Sequence, residues 1–177
     1  MTAERPWSVT VRVDEVPESG RSVVLEANEE TRAALAGPAA VDAVEQLIAR
    51  FELSRRGHGL HVAGRVSATV RQTCVVSLEP LVNRIDEVVE VDFAPPQEAE
   101  RRRSDEIEVD PGAGEEPEPL VGNSVDLGLL ATEFLILGVD PYPRKPDAAF
   151  EAPASAEPSG HPFAALAAWS RKGTVKE

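Results

Sequence analysis

LHVAGRVSATVRQTCVVSLEPLVNRIDEVVEVDF, residues 60–93, is the stretch whose reading decides the fold. In its first half Leu60, Val62, Val66, Ala68 and Val70 alternate with His61, Arg65, Ser67, Thr69 and Arg71. Side chains on a strand point alternately to opposite faces, so this is a half-buried strand with one apolar and one polar side. In the second half Leu81, Ile85, Val89, Val91 and Phe93 share one parity, and Arg84, Asp86, Glu90 and Asp92 the other, with Asn83 and Glu87 as breaks in the apolar face. Between them Glu79-Pro80 closes a short connection, because proline lacks a ladder donor and restricts the residue before it. The two halves form a long antiparallel hairpin with the only cysteine, Cys74, at its bend.

Working outward toward the N-terminus, Trp7, Val9, Val11 and Val13 alternate with polar residues until the turn cluster Pro17-Glu18-Ser19-Gly20. This predicts a first strand, with Ser22 to Ala27 as its partner. Asn28 then caps a short helix that begins with Glu29 and Glu30 and stops at Gly37-Pro38. Val41, Val44, Leu47 and Ile48 recur at spacings of three and four, which predicts a second helix over 39–49 packed on the sheet. Phe51 and Leu53 alternate with Glu52 and Ser54 as a third short strand, and Arg55-Arg56-Gly57-His58-Gly59 is a loop.

Beyond the hairpin, Pro95-Pro96 ends the sheet, and Glu98 to Glu118 holds nine acids against three arginines with few large apolar residues. Such a composition cannot bury enough apolar surface to order itself, so a mobile acidic insertion is expected over about 95–122. Asn123 or Ser124 caps an apolar helix over 125–138 that carries Val125, Leu127, Leu130, Phe134 and Leu137 and ends at Gly138. Residues 148–177 form a Pro/Ala-rich tail ending in a short helix over about 162–171, in which Phe163, Leu166 and Trp169 offer an apolar docking side.

The 177 residues suit one domain, 1–147, with tails. A net charge of -13 and a pI near 4.7 oppose broad attraction to nucleic acid, DNA included, or to anionic lipid, which favour cationic surfaces, so any nucleic-acid contact is expected to be local. One cysteine forms no internal disulfide, and no charged-then-apolar leader precedes the first strand, so the expected location is cytoplasmic. The apolar run from Leu127 to Val139 is shorter than the roughly 20 residues that span a bilayer.

Chemical constellations are sparse. Cys74 with Ser77 resembles a CxxC pair whose second thiol is replaced, which removes redox cycling and a two-thiolate metal half-site. His58 and His61 flank a glycine and have no thiolate or carboxylate cluster beside them, so no metal and no cofactor is expected. Asp42 and Glu45 read as a solvated helix surface rather than an acid-base pair. No Walker A, GxGxxG, HExxH or GxSxG stretch occurs, and no enzymatic activity is expected.

Charge is more informative. From Arg50 to Arg71 there are five arginines, Arg50, Arg55, Arg56, Arg65 and Arg71, against Glu52 alone. With His61 they can meet phosphates, since guanidinium groups make bidentate charge-assisted bonds to them. They can equally pair with Asp86, Glu90 and Asp92 on the neighbouring strand. Arg55, Arg56, His61, Arg65 and Arg71 are therefore candidate contacts to RNA or a partner.

Cys74-Val-Val-Ser-Leu-Glu-Pro, the helix Val125-Asp-Leu-Gly-Leu-Leu-Ala-Thr-Glu-Phe-Leu-Ile-Leu-Gly followed by Asp140-Pro-Tyr-Pro, and Pro162-Phe-Ala-Ala-Leu-Ala-Ala occur in this order. Together they resemble the YceD family, the large ribosomal RNA subunit accumulation proteins. Many relatives resemble CxxCL-x-P; here Cys74, Leu78 and Pro80 match it, with Glu79 between the last two, and Ser77 stands where the second cysteine would be. The resemblance implies a bacterial or organellar role in accumulation, processing or assembly of large-subunit (23S) ribosomal RNA. The implied partners are that RNA's precursor or assembly factors, and no catalytic residue is implied. An adaptor that docks a partner through its terminal helix is the alternative function, and an RNA-processing enzyme a weaker one. The expected fold is α+β: a twisted antiparallel sheet built on the 60–93 hairpin and packed by helices over 39–49 and 125–138.

Overall fold

The computed structural model describes residues 6–96 and 117–150. The hairpin of 60–93 is its centre. Strand β4 (Gly59–Thr73) pairs antiparallel with β5 (Pro80–Ala94) from Leu60 opposite Phe93 to Thr73 opposite Pro80, with no break in register. On its other side β4 pairs with β3 (Ala43–Arg56), which in turn pairs with β2 (Arg21–Glu26). A two-residue strand, β6 (Glu118–Pro119), runs parallel to the end of β5, completing a sheet of order β2-β3-β4-β5-β6.

Of the helix expected over 39–49, residues 43–49 are instead the first half of β3, and the expected short strand at 51–54 is its continuation. The cause is a β-bulge. Val44 lies opposite Val70 and Gln46 opposite Thr69, so Glu45 is an extra residue and the strand's parity flips across it. Val44 and Leu47 both face the core, three residues apart, which reproduces the spacing of a helical stripe on a strand. Asp42 and Glu45 therefore lie at a strand entry, where Asp42 accepts a 2.9 Å hydrogen bond from the Thr73 hydroxyl.

Helix α1 (Glu29–Ala36) matches expectation, with the Asn28 side chain accepting from Thr31 N–H at 2.8 Å. The first strand is shorter than its alternation suggests: β1 (Thr10–Arg12) gives way to a 3-10 turn at Val13–Glu15. Its partner is not Ser22 to Ala27, which pairs with β3, but β7 (Ser124–Asp126), more than a hundred residues away. Because Ser124 and Asp126 are spent on that ribbon, helix α2 (Leu127–Gly138) starts later than predicted and its cap is Asp126 rather than Asn123 or Ser124.

The mobile acidic insertion expected over 95–122 does not take in residues 117–122: Leu120 is buried and its N–H bonds to Ala94 O at 2.8 Å, while residues 97–116 lie outside the described residues. Phe163, Leu166 and Trp169 lie outside the described residues.

One hydrophobic cluster occupies a single side of the sheet. Leu60, Val62, Val66 and Val70 of β4 are completely buried, as are Leu35 of α1 and Leu127 and Leu135 of α2. Full burial of each such side chain contributes about 1.5–3 kcal/mol relative to exposure. Gly64 interrupts the β4 row because a β-carbon there would collide with the backbone of Arg50 and Phe51, so the strands can curve closely around the core. The opposite side of the sheet is uncovered among the described residues, and it is there that the candidate residues stand.

Candidate functional site

Strand parity collects the polar residues. His61, Arg65, Ser67, Thr69 and Arg71 of β4 share the open side with Arg50, Glu52 and Arg56 of β3 and with Arg84, Asp86, Glu90 and Asp92 of β5. Arg50 lies directly opposite Arg65 across the β3–β4 ladder. Like charges placed directly opposite each other on neighbouring strands are unfavourable unless an anion lies close.

Asp86 supplies one such anion. It accepts from Arg65 Nη1 at 2.6 Å and from the Ser67 hydroxyl at 3.1 Å. Six residues further along β5, Asp92 faces Arg56 Nη1 at 2.7 Å through one oxygen and His61 Nδ1 at 2.8 Å through the other. Arg71 approaches Glu45 only to 3.9 Å. The Arg65–Asp86 pair is about half exposed on both sides, so water screens it and its contribution is at most about 1 kcal/mol.

Arg55 stands apart from this group. Its guanidinium donates to the carbonyls of Val16 at 2.6 Å and Asp14 at 3.0 Å, tying the turn after β1 to the end of β3. The structure thus places Arg56, His61, Arg65 and Arg71 on one side of the sheet, Arg56 and His61 together at Asp92 and Arg65 and Arg71 further along β4, and removes Arg55 to another surface. Two further arginines on the open side, Arg50 and Arg84, make no ion pair among the described residues. On the same side Val24, Val82 and Val88 expose 61%, 57% and 60% of their surface, which period-two reading alone does not flag, since valines suit any strand.

The hairpin bend forms a second cluster. Cys74 is fully buried, and its Sγ accepts from the N–H of Ser77 and of Lys145, each at 3.4 Å. The Ser77 hydroxyl and N–H, together with the Lys145 N–H, outweigh burial and lower the thiol to about 6. Val75 N–H bonds to Pro143 O at 2.9 Å, and Gln72 Nε2 donates to Asp140 O at 2.8 Å. Lys145 Nζ reaches Glu79 at 2.8 Å, and this bond with the ammonium charge holds the Glu79 carboxyl below its ordinary value.

Residues 140–145 are therefore a strap laid across the bend, and it joins two motifs far apart in sequence. Pro80 opens β5 opposite Thr73, and the Cys74 N–H closes the bend on Glu79 O. Leu78 has a left-handed backbone, φ 58°, and is 77% exposed, so it is displayed by the bend rather than packed beneath it. Within the described residues no group of three or more His, Cys, Asp or Glu side chains is arranged to hold a metal ion. Nor is any described helix long and apolar enough to cross a membrane.

A family model described as "Large ribosomal RNA subunit accumulation protein YceD" matches residues 62–168, from early in β4 through the strap and beyond. No curated protein and no solved structure matches the chain.

Proposed function

From the premise that the chain belongs to the YceD family, whose model covers more than half of it, we propose a role as a non-catalytic factor in large-subunit ribosome biogenesis. In this role the protein supports the accumulation of 23S ribosomal RNA by aiding processing of its precursor or assembly of the subunit around it. The observation that carries the reading is the extent of the family match, which spans the hairpin, its bend, α2 and the strap as one unit. The open side of the sheet supports a contact with RNA or with an assembly factor, because Arg50 and Arg84 make no ion pair there among the described residues and guanidinium groups suit phosphate. The overall acidity makes that contact local rather than a broad electrostatic attraction.

Depleting the protein in its own cells tests the role. Large-subunit ribosomal RNA should fall relative to small-subunit RNA, with precursor accumulating or free large subunits lost. Unchanged amounts of both RNAs and of the precursor refute it. Incubation of the purified protein with precursor RNA should leave the RNA intact, and specific cleavage would overturn the non-catalytic part of the reading.

A further inference from the structure

Among the described residues, strand β5 has an unused edge. Its fifteen residues pair with β4 along one side, while among the described residues only Phe93 and Ala94 are paired on the other, by β6. From Pro80 to Asp92 no described backbone or side-chain group bonds to that outer edge. A long, unbulged edge is a ready template for another strand.

We propose that this edge pairs with the same edge of a second copy of the chain, antiparallel, about a twofold axis at Ile85. The five-stranded sheet then continues from one protomer into its partner. An isologous interface requires a patch complementary to itself, and β5 has that property around Ile85. On the open side Arg84 falls opposite Asp86 of the partner subunit, and by symmetry the reverse pair forms as well. Val82 likewise falls opposite the partner's Val88, so four exposed valines become two contacts. On the core side Ile85 meets its own copy, Leu81 meets the partner's Val89, and the second amide hydrogen of Asn83 faces the partner's Glu87.

Neighbouring registers lack this match. Moving the axis to Arg84, Asp86 or Glu87 sets a charge against its own copy, and like charges directly opposite each other are unfavourable. The register at Ile85 also gives Arg84 the carboxylate it lacks among the described residues of its own chain, and covers Val82 and Val88. Helix α2 adds a second observation. A β-carbon on Gly138 would collide with Ile85, so the C-terminal end of α2 sits over the proposed axis. Leu137 at that end is 75% exposed, and the twofold brings the two helix ends near one another.

The test is the solution mass of the full chain with a charge swap. Sedimentation equilibrium of the wild-type protein should give about twice the 19.0 kDa of one chain at high concentration. R84E and D86R, each alone, set like charges in both pairs and should halve that mass. Mixed in equal amounts, the two variants should recover it as a heterodimer, because each introduced charge then faces its opposite. The doubly substituted R84E/D86R chain should recover it too. Circular dichroism of each variant should match the wild type, since both positions are exposed. A wild-type monomer at every soluble concentration, a dimer indifferent to R84E, or no recovery on mixing would each overturn the proposal.

Discussion

On one side of β4 Leu60, Val62, Val66 and Val70 have no solvent exposure, whereas Arg65 and Arg71 on the other stand half in water. The strand, its hydrogen bonds and its length are the same; only parity differs. Energetically the sides are far apart, because removing apolar surface from water contributes several kcal/mol per residue and an exposed ion pair contributes about 1 kcal/mol or less. Identity on the inward side is thus constrained by folding. Identity on the outward side is left to solubility, pairing and recognition.

The sharpest way to break that comparison uses two adjacent residues of β3. Phe51 is buried to 1% exposure and points inward, while its neighbour Arg50 points outward with no described partner. Phe51→Ala should cost about 3–5 kcal/mol of unfolding free energy through lost burial and the cavity left behind. Arg50→Ala should fall within about 0.5 kcal/mol of the wild type, as surface substitutions do. Urea unfolding of both measures the contrast, and similar values for the two would mean that the outward side is not open in solution.

A smaller effect is expected at the joint between the β1–β7 ribbon and α2. Burial pushes the Asp126 carboxyl up, but hydrogen bonds from the Ser8 hydroxyl and from the N–H groups of Val9, Leu129 and Gly128 outweigh it and leave it below its ordinary value of 3.8. Asp126→Ala removes a helix cap and should cost about 0.5–2 kcal/mol at neutral pH. A carboxylate held low when folded stabilises fully above its unfolded value and loses that contribution as pH falls through its folded one. The gap between wild type and Asp126→Ala should therefore be constant at neutral pH and narrow below 3.8. A gap unchanged by acid would show that the carboxylate charge is not what holds the joint.

These elements differ in how far the sequence reveals them. The hairpin is legible because both strands alternate over most of their length, with breaks such as Asn83 and Glu87, and Pro80 marks the turn. Helix α1 is legible from Asn28 and its acidic first turn. β3 is hidden by its own bulge, since the extra Glu45 makes two inward residues fall at a helical interval. β7 has three residues and no local signature; it exists because β1 lies beside it, a contact that only the folded chain provides. For the open side, parity alone brings Arg65 and His61 within reach of Asp86 and Asp92, so both pairs could be weighed from the sequence. The engagement of Arg55 with two carbonyl oxygens depends on tertiary placement of the turn after β1 and leaves no trace in the pattern.

The smallest expected effect is the most discriminating. Arg65 and Asp86 form the shortest ion pair on the open side, 2.6 Å between Nη1 and Oδ2, yet both side chains are more than half exposed. Short distance argues for strength, and exposure for screening. Screening should prevail, because both long side chains give up rotamer freedom to meet and water competes for each charge. A double-mutant cycle with Arg65→Ala and Asp86→Ala should return a coupling of about 0.2–1 kcal/mol, decreasing as salt is raised. A coupling of about 3 kcal/mol or more, unaffected by salt, is the size seen when a buried pair loses one partner. It would mean that this side is covered in solution, and the two sides of the sheet would then no longer differ in kind.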